Sequence, residues 1–406
     1  MKNDILKTID KFLNIETIKK NIELNYGKED IYKVSLATGY PGIALLLNEA
    51  YEYSNDFKYY EICNEYLSST ISLIQRHPMY STSLFTGTMG ILFTLATCSN
   101  NGSNYKNITI QLLNEYDSVF DTLYVDLKNQ IYNTSMSKEN FDLVYGASGT
   151  LLCLLHILDI YGSKIHLKLS YWIHKLTNLL EHLIINKLNN KIYGEFFSDL
   201  GVSHGISGTI NVLNASYKRG FTSSTLLQTL QQSKDFLINS IIFYHNSYII
   251  PNTLDNKPLT HRDAWCYGTP GVSLVLYNIG HTLKDESTIN ISKFLSSETL
   301  QRSSKQRKLI SPTLCHGYSG LAIINKILQN DKLEKYFYKL IENSKEPSAE
   351  FLFKDLEYRE NGYEYTDSSS LLEGSAGVLL TLLSKKNFNS PWYKSVSYTH
   401  LTLPTI

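Results

Sequence analysis

Two cysteines in this chain stand where a thiolate could do work. One lies in His261-Arg262-Asp263-Ala264-Trp265-Cys266-Tyr267-Gly268-Thr269-Pro270-Gly271, the other in Leu314-Cys315-His316-Gly317-Tyr318-Ser319-Gly320. Each precedes a Gly-x-x-Gly pair that runs into an apolar segment. A helix start offers a positive dipole end that favours anions and thiolates. Cys266, Cys315 and His316 together offer two thiolates and an imidazole. That soft donor set suits zinc over magnesium or calcium. Three protein ligands would leave one position of a tetrahedral site open for chemistry. Adjacent Cys-His is not the spacing of a zinc finger, and the same residues also suit two buried cysteines and a helix-capping histidine.

The pairs recur along the chain. Gly39/Gly42, Gly87/Gly90, Gly146/Gly149, Gly205/Gly208, Gly268/Gly271, Gly317/Gly320 and Gly374/Gly377 each open an apolar run. The first glycines are 48, 59, 59, 63, 49 and 57 residues apart. A period of this size marks a repeat architecture. Each apolar run is hydrophobic nearly all round, the sign of a buried helix. Amphipathic stretches such as Ile165 to Leu188 separate the runs. The pattern predicts an all-α fold, an α/α toroid of seven inner and seven outer helices, with residues 1–395 as one domain. Short β pieces are expected only at Lys191-Ile192-Tyr193-Gly194 and Tyr248-Ile249-Ile250-Pro251. The first glycine of each pair is expected at positive φ and the second where helices approach closely. The pairs are not phosphate loops, since no Lys-Ser/Thr follows them.

In such a fold the residues before the glycine pairs converge. Asp142 precedes Gly146, His204 precedes Gly205, and Arg262, Cys266 and Tyr267 precede Gly268. Cys315 and His316 precede Gly317, and Glu373 stands before Gly374 as a weaker candidate. The first two repeats offer only Thr38 and Thr86. Taken singly, Asp142 reads as a loop carboxylate, His204 as a cap or core histidine, and Arg262 as a surface cation. Cys63, Cys98 and Cys153 lie in helical patterns and read as packing.

Bulk properties exclude several classes. The chain has 406 residues, 43% hydrophobic, with 38 basic and 38 acidic residues. The charges balance and no basic patch stands out, so nucleic acid is not an expected partner. No stretch is long and apolar enough for a transmembrane helix. The N-terminus lacks a signal-peptide core, and the five scattered cysteines do not form a disulfide framework. A cytoplasmic protein is expected. From Val396 the end of the chain reads like a translated sequencing adapter, so 396–406 is expected to be a non-native tail.

The seven Gly-x-x-Gly repeats, Ser203-His204-Gly205, Trp265-Cys266-Tyr267-Gly268 and Cys315-His316-Gly317 resemble the lanthionine synthetase C-like cyclases over nearly the whole chain. The resemblance implies one catalytic zinc held by Cys266, Cys315 and His316, with Asp142, His204, Arg262 and Tyr267 lining the site. It implies addition of peptide cysteine thiols to dehydroalanine or dehydrobutyrine, giving lanthionine or methyllanthionine thioether rings in a lanthipeptide precursor. Zinc would keep the thiol deprotonated, Arg262 would face the developing enolate, and His204 would protonate the α-carbon, with Asp142 orienting it. The partners implied are a dehydrated precursor peptide with its leader, a separate dehydratase and a peptide exporter, with docking at the inner membrane face in a biosynthetic complex. The even repeat spacing leaves little room for the inserted peptide-binding subdomain of known members. Other readings are addition of glutathione or another free thiol to dehydrated peptides, a non-catalytic scaffold of a modification complex, and a different toroid enzyme. A glycosidase would need two facing carboxylates.

Overall fold

The structure, a computed structural model, describes residues 2–79, 81–133, 137–189, 198–254, 260–359, 362–385 and 391–397. The expected β piece at Lys191–Gly194 lies outside these residues, as does the tail from 398 onward. The other piece forms in part, since Tyr248 and Ile249 lie in a strand and Ile250 and Pro251 do not. β1 (Ile242–Tyr244) pairs antiparallel with β2 (Ser247–Ile249). A second hairpin joins β3 (Asp355–Arg359) to β4 (Gly362–Thr366). The remaining regular structure among the described residues is helical.

Each of the seven glycine pairs opens a helix, as its sequence predicts. These are α1 (Tyr40–Ser54), α2 (Thr88–Thr97), α3 (Ala147–Tyr161), α4 (Ile206–Lys218), α5 (Thr269–Leu283), α6 (Tyr318–Ile327) and α7 (Ser375–Leu383). They are buried on every side at their starts: Ala147 to Ile157 of α3 is buried without a break. Withdrawing each Leu or Ile there from water contributes about 1.5–3 kcal/mol. The predicted amphipathic segment from Ile165 becomes a single turn, Ser163–Ile165, followed by a helix over Leu169–Leu188. Its buried side carries Trp172, Ile173, Leu176, Leu180 and Leu183.

The glycines work mainly by closeness. Only Gly268 among the first glycines has positive φ, at +79°. The others whose torsions are described, such as Gly39 at −113° and Gly146 at −103°, are in ordinary extended backbone. The expectation of positive φ therefore fails outside Gly268. Crowding explains the residue type instead: a Cβ on Gly39 would lie 2.2 Å from the Lys33 carbonyl oxygen. The second glycines meet neighbouring repeats, as expected. A Cβ on Gly42 would sit 2.8 Å from Leu371 Cβ, and one on Gly377 2.9 Å from Leu314 Cβ.

The chain divides into two compact units. One holds residues 1–112, 308–326 and 330–392; the other holds 113–307, 327–329 and 393–406. In the first unit α7 packs on α1 and α1 on α2. The N-terminal helix Lys2–Ile9 packs on both α1 and α7, so the last repeat docks directly on the first. In the second unit α3 packs on α4 and α4 on α5, backed by the outer helices Leu169–Leu188, Leu226–Asn239 and Glu286–Glu298. Cys63, Cys98 and Cys153 are buried packing residues, as their helical setting predicts.

Backbone rungs tie the loops ahead of the inner helices within each unit. In the first, Ala37 N donates to Phe85 O at 3.0 Å, Cys315 N to Leu372 O at 2.9 Å, and Leu371 N to Ala37 O at 2.9 Å. In the second, Leu143 N donates to Ser203 O at 3.1 Å and Val202 N to Cys266 O at 2.9 Å. Val396 is buried, and its carbonyl accepts from Trp265 Nε1 in the second unit.

Candidate metal and acid–base sites

Within each unit the rungs join residues two and three positions ahead of the first glycines. Cys266 and Cys315 both occupy the second position before a first glycine. His204, Tyr267, His316 and Glu373 occupy the position immediately before it.

In the second unit Asp142 and His204 come together. Asp142 is fully buried, and its Oδ2 lies 2.7 Å from His204 Nδ1. Its Oδ1 accepts from the backbone N–H groups of Tyr145 at 2.6 Å and Gly146 at 3.0 Å. One oxygen thus shapes the loop and the other faces the imidazole. A carboxylate accepts, so His204 Nδ1 carries the proton of this bond and Nε2 is the nitrogen left for proton exchange. Tyr145 stacks on the His204 ring with centroids 5.6 Å apart. Tyr267 is a second ring near it, tilted by 39° with its centroid 6.3 Å from that of His204.

The Tyr267 hydroxyl donates to Asp199 Oδ2 at 3.1 Å. Burial raises its pKa well above the ordinary tyrosine value, and the Asp199 charge adds to that, so the phenol stays protonated. Asp199 also accepts from Gly201 N at 2.8 Å. Sequence reasoning missed Asp199 and Tyr145. Asp199 lies six residues before Gly205 and Asp142 four before Gly146, and that shared acidic placement was the available signal.

Arg262 is half-buried at the start of the Cys266 loop, and its N–H donates to Asn252 Oδ1 at 3.2 Å. The turn at Gly268 is tight: a Cβ there would fall 1.8 Å from the Arg262 carbonyl oxygen. Asp263, next along, is fully buried and takes a two-pronged contact from Arg302, Nε to Oδ2 at 2.9 Å and Nη2 to Oδ1 at 2.8 Å. His261 Nε2 stands 3.1 Å from Asp263 Oδ1. Burial alone would raise the Asp263 carboxyl pKa, but His261 and Arg302 outweigh it and hold the group below the ordinary value. This clamp fixes the backbone that carries Arg262, Cys266 and Tyr267. Cys266 is itself buried in the second unit.

In the first unit Cys315, His316 and Glu373 gather. One donor atom from each lies within 4.8 Å of the others. His316 Nδ1 is 3.8 Å from Glu373 Oε1. The imidazole and its neighbouring thiol fit a borderline-soft divalent ion such as zinc, and the third nearby donor here is a carboxylate. On its other side His316 Nε2 lies 3.0 Å from Asp355 Oδ1 and 2.9 Å from Glu357 Oε1, both on β3. Neither acid was singled out from sequence. Asp355 also accepts from the hydroxyls of Ser311 and Thr313. No helix among the described residues is long and apolar enough to cross a membrane.

Nisin biosynthesis protein NisC of Lactococcus lactis subsp. lactis is 26% identical over 407 residues, covering 91% of this chain and 92% of that protein. The solved structure of a nisin cyclase matches with a TM-score of 0.72 at 20% identity, covering 97% of this chain and 96% of the other. The fold is therefore the all-α helical toroid expected from the seven repeats. Residues 30–394 match the family model described as lanthionine synthetase C-like protein, and the chain belongs to that family.

Proposed function

We propose that this chain is a zinc-dependent cyclase that adds peptide cysteine thiols to dehydroalanine or dehydrobutyrine, forming lanthionine or methyllanthionine rings in a lanthipeptide precursor. It is an enzyme of the lanthionine synthetase kind, making C–S bonds by conjugate addition. The observation that carries this reading is the common register. Within a lanthionine synthetase C-like chain, thiols occupy the second position before the first glycine in two repeats, and titratable side chains follow them. Cys266, Cys315 and His316 are the proposed zinc ligands. The donor chemistry of all three, and the gathering of Cys315 with His316, support that assignment.

Bound zinc would supply one thing, a substrate thiol held as thiolate at a pH where free thiols, with pKa about 8.5, are mostly protonated. The chain's own groups do the rest. The new C–S bond forms at the β-carbon as the C=C π bond breaks, and the electron pair moves to the amide oxygen. Arg262, a permanent cation, faces that enolate. His204 then gives a proton from Nε2 to the α-carbon. The thiol's own proton balances it, so the reaction is an addition with no leaving group. Asp142 stabilises the charged imidazole and holds its orientation through Nδ1. Tyr267, kept protonated beside Asp199, packs against the His204 ring.

The proposed partners are a dehydrated precursor peptide carrying a leader, a separate dehydratase and a peptide exporter, with the work done on the cytoplasmic side of the membrane. The test uses the purified protein and a dehydrated peptide encoded by a neighbouring gene. Zinc analysis should give about one ion per chain. Mass spectrometry after thiol alkylation should show fewer alkylated cysteines with time. A peptide whose cysteines stay fully alkylated while added glutathione becomes attached would redirect the proposal to a free-thiol donor.

A further inference from the structure

The short hairpin of the first unit brings two acids to one nitrogen. Asp355 and Glu357 are two residues apart on β3 and so share one face of the strand. Both reach His316 Nε2, at 3.0 Å and 2.9 Å. Tyr358, on the opposite face, is 69% exposed. Register with β4 pairs Asp355 with Thr366 and Glu357 with Glu364, which fixes the strand's face. Asp355 is itself held by Ser311 and Thr313, which lie just upstream of His316 in the same loop. A line of contacts thus runs from the loop hydroxyls through Asp355 to the imidazole.

Carboxylates accept hydrogen bonds, so an imidazole nitrogen facing two of them must bear its proton there. Nε2 is then the N–H of His316, and Nδ1 is left with its lone pair. Nδ1 is the nitrogen that faces Glu373, the acid clustered with Cys315. A histidine that ligates a metal commonly donates its other N–H to a carboxylate, which fixes the ring and strengthens the donor nitrogen. We propose that Asp355 and Glu357 are positioning residues for the zinc site, holding His316 with Nε2 protonated so that Nδ1 is the ligand atom. This role rests on the assignment of Cys315 and His316 as zinc ligands. The competing arrangement is a metal on the Nε2 side, ligated by Asp355 and Glu357 themselves.

The test measures metal binding by the full-length protein, apart from turnover. Zinc affinity is determined by chelator competition for wild type, Asp355→Asn, Glu357→Gln and the double variant. Cobalt(II) is then loaded to saturation and its spectrum recorded. Asp355→Asn should bind zinc about 10–100-fold more weakly. Glu357→Gln, at a more exposed position, should lose less. Thermal melts of the metal-free proteins should stay close together, and the thiolate-to-cobalt charge-transfer band and ligand-field bands should persist in every variant. Equal zinc affinity in wild type and double variant would overturn the role. So would ligand-field bands that change when the acids are replaced, since the acids would then be ligands. Should Asp355→Asn fail to fold, Glu357→Gln carries the same comparison. A wild type that binds no zinc would overturn the site and this role together; a zinc-binding wild type with indifferent variants overturns this role alone.

Discussion

Asp142 divides its two oxygens between jobs: Oδ2 sits 2.7 Å from His204 Nδ1, while Oδ1 caps the Tyr145 and Gly146 N–H groups. Deleting the whole side chain would therefore damage loop and site together. Asp142→Asn keeps the shape and leaves an oxygen for the loop, but it withdraws the negative charge from the imidazole. His204→Ala should lower the cyclisation rate by about 10²–10⁴-fold, the usual worth of a positioned acid or base. Asp142→Asn should lower it by a smaller factor in the same direction. Zinc content should stay at the wild-type level in both. Loss of zinc in either variant would assign this pair to the metal and not to proton transfer.

The Tyr267 hydroxyl is committed to Asp199. Tyr267→Phe removes one hydrogen bond and leaves Asp199 with its Gly201 contact. A hydrogen bond to a charged group contributes about 1.5–3 kcal/mol. Tyr267→Phe should accordingly be less stable to denaturant by about that amount, with activity reduced modestly. An unchanged midpoint would mean that the contact contributes nothing net.

Repeat packing depends on glycines that no other residue can replace. At Gly42 an added Cβ would meet the Leu36 carbonyl oxygen at 2.7 Å and Leu371 Cβ at 2.8 Å. Both neighbours are buried and one contact is backbone, so neither gives way easily. Gly42→Ala should destabilise the chain by about 1–3 kcal/mol, the usual range for overpacking. Urea unfolding of the variant would show it. An alanine accepted without loss would mean that the Leu36 and Leu371 loops give way at little cost.

His156 of α3 is fully buried, and burial lowers its pKa from 6.5 to about 3, with the Lys394 charge acting in the same sense. The folded state keeps this histidine neutral, whereas the unfolded chain protonates it below pH 6.5. Its contribution is thus fully present above pH 6.5 and declines as pH falls toward 3. Between pH 7 and pH 5 the loss should be about 2 kcal/mol. Urea midpoints at the two pH values check this. The wild type should weaken at pH 5 more than His156→Gln does, and parallel changes would contradict it.

Much of the architecture was legible because the repeat punctuates itself. Each Gly-x-x-Gly marks a helix start, and the apolar runs behind them are buried as their composition requires. The reason for the first glycines was misjudged everywhere except Gly268: steric closeness to an upstream carbonyl leaves no trace in a single sequence. Cys266, Cys315 and His316 stood out by type and register. For Asp142 and His204 the family resemblance already implied that one orients the other, although their contact joins residues 62 positions apart. Asp355 and Glu357 were missed because an acid in a hairpin looks like a solvated face. Their alternation with Leu356 and Tyr358 was the signal that one face of the strand turns inward. Asp199 was overlooked for a related reason, since its partner Tyr267 lies in another repeat.

The proposed function turns on zinc held by Cys315 and His316 and used to form the thioether rings. Cys315→Ala tests it most directly, by zinc analysis and by thiol alkylation mass spectrometry on the same dehydrated peptide. The expected result is a folded protein that has lost its zinc and leaves every peptide cysteine open to alkylation. A Cys315→Ala protein that retains stoichiometric zinc, or closes rings at the wild-type rate, would contradict it.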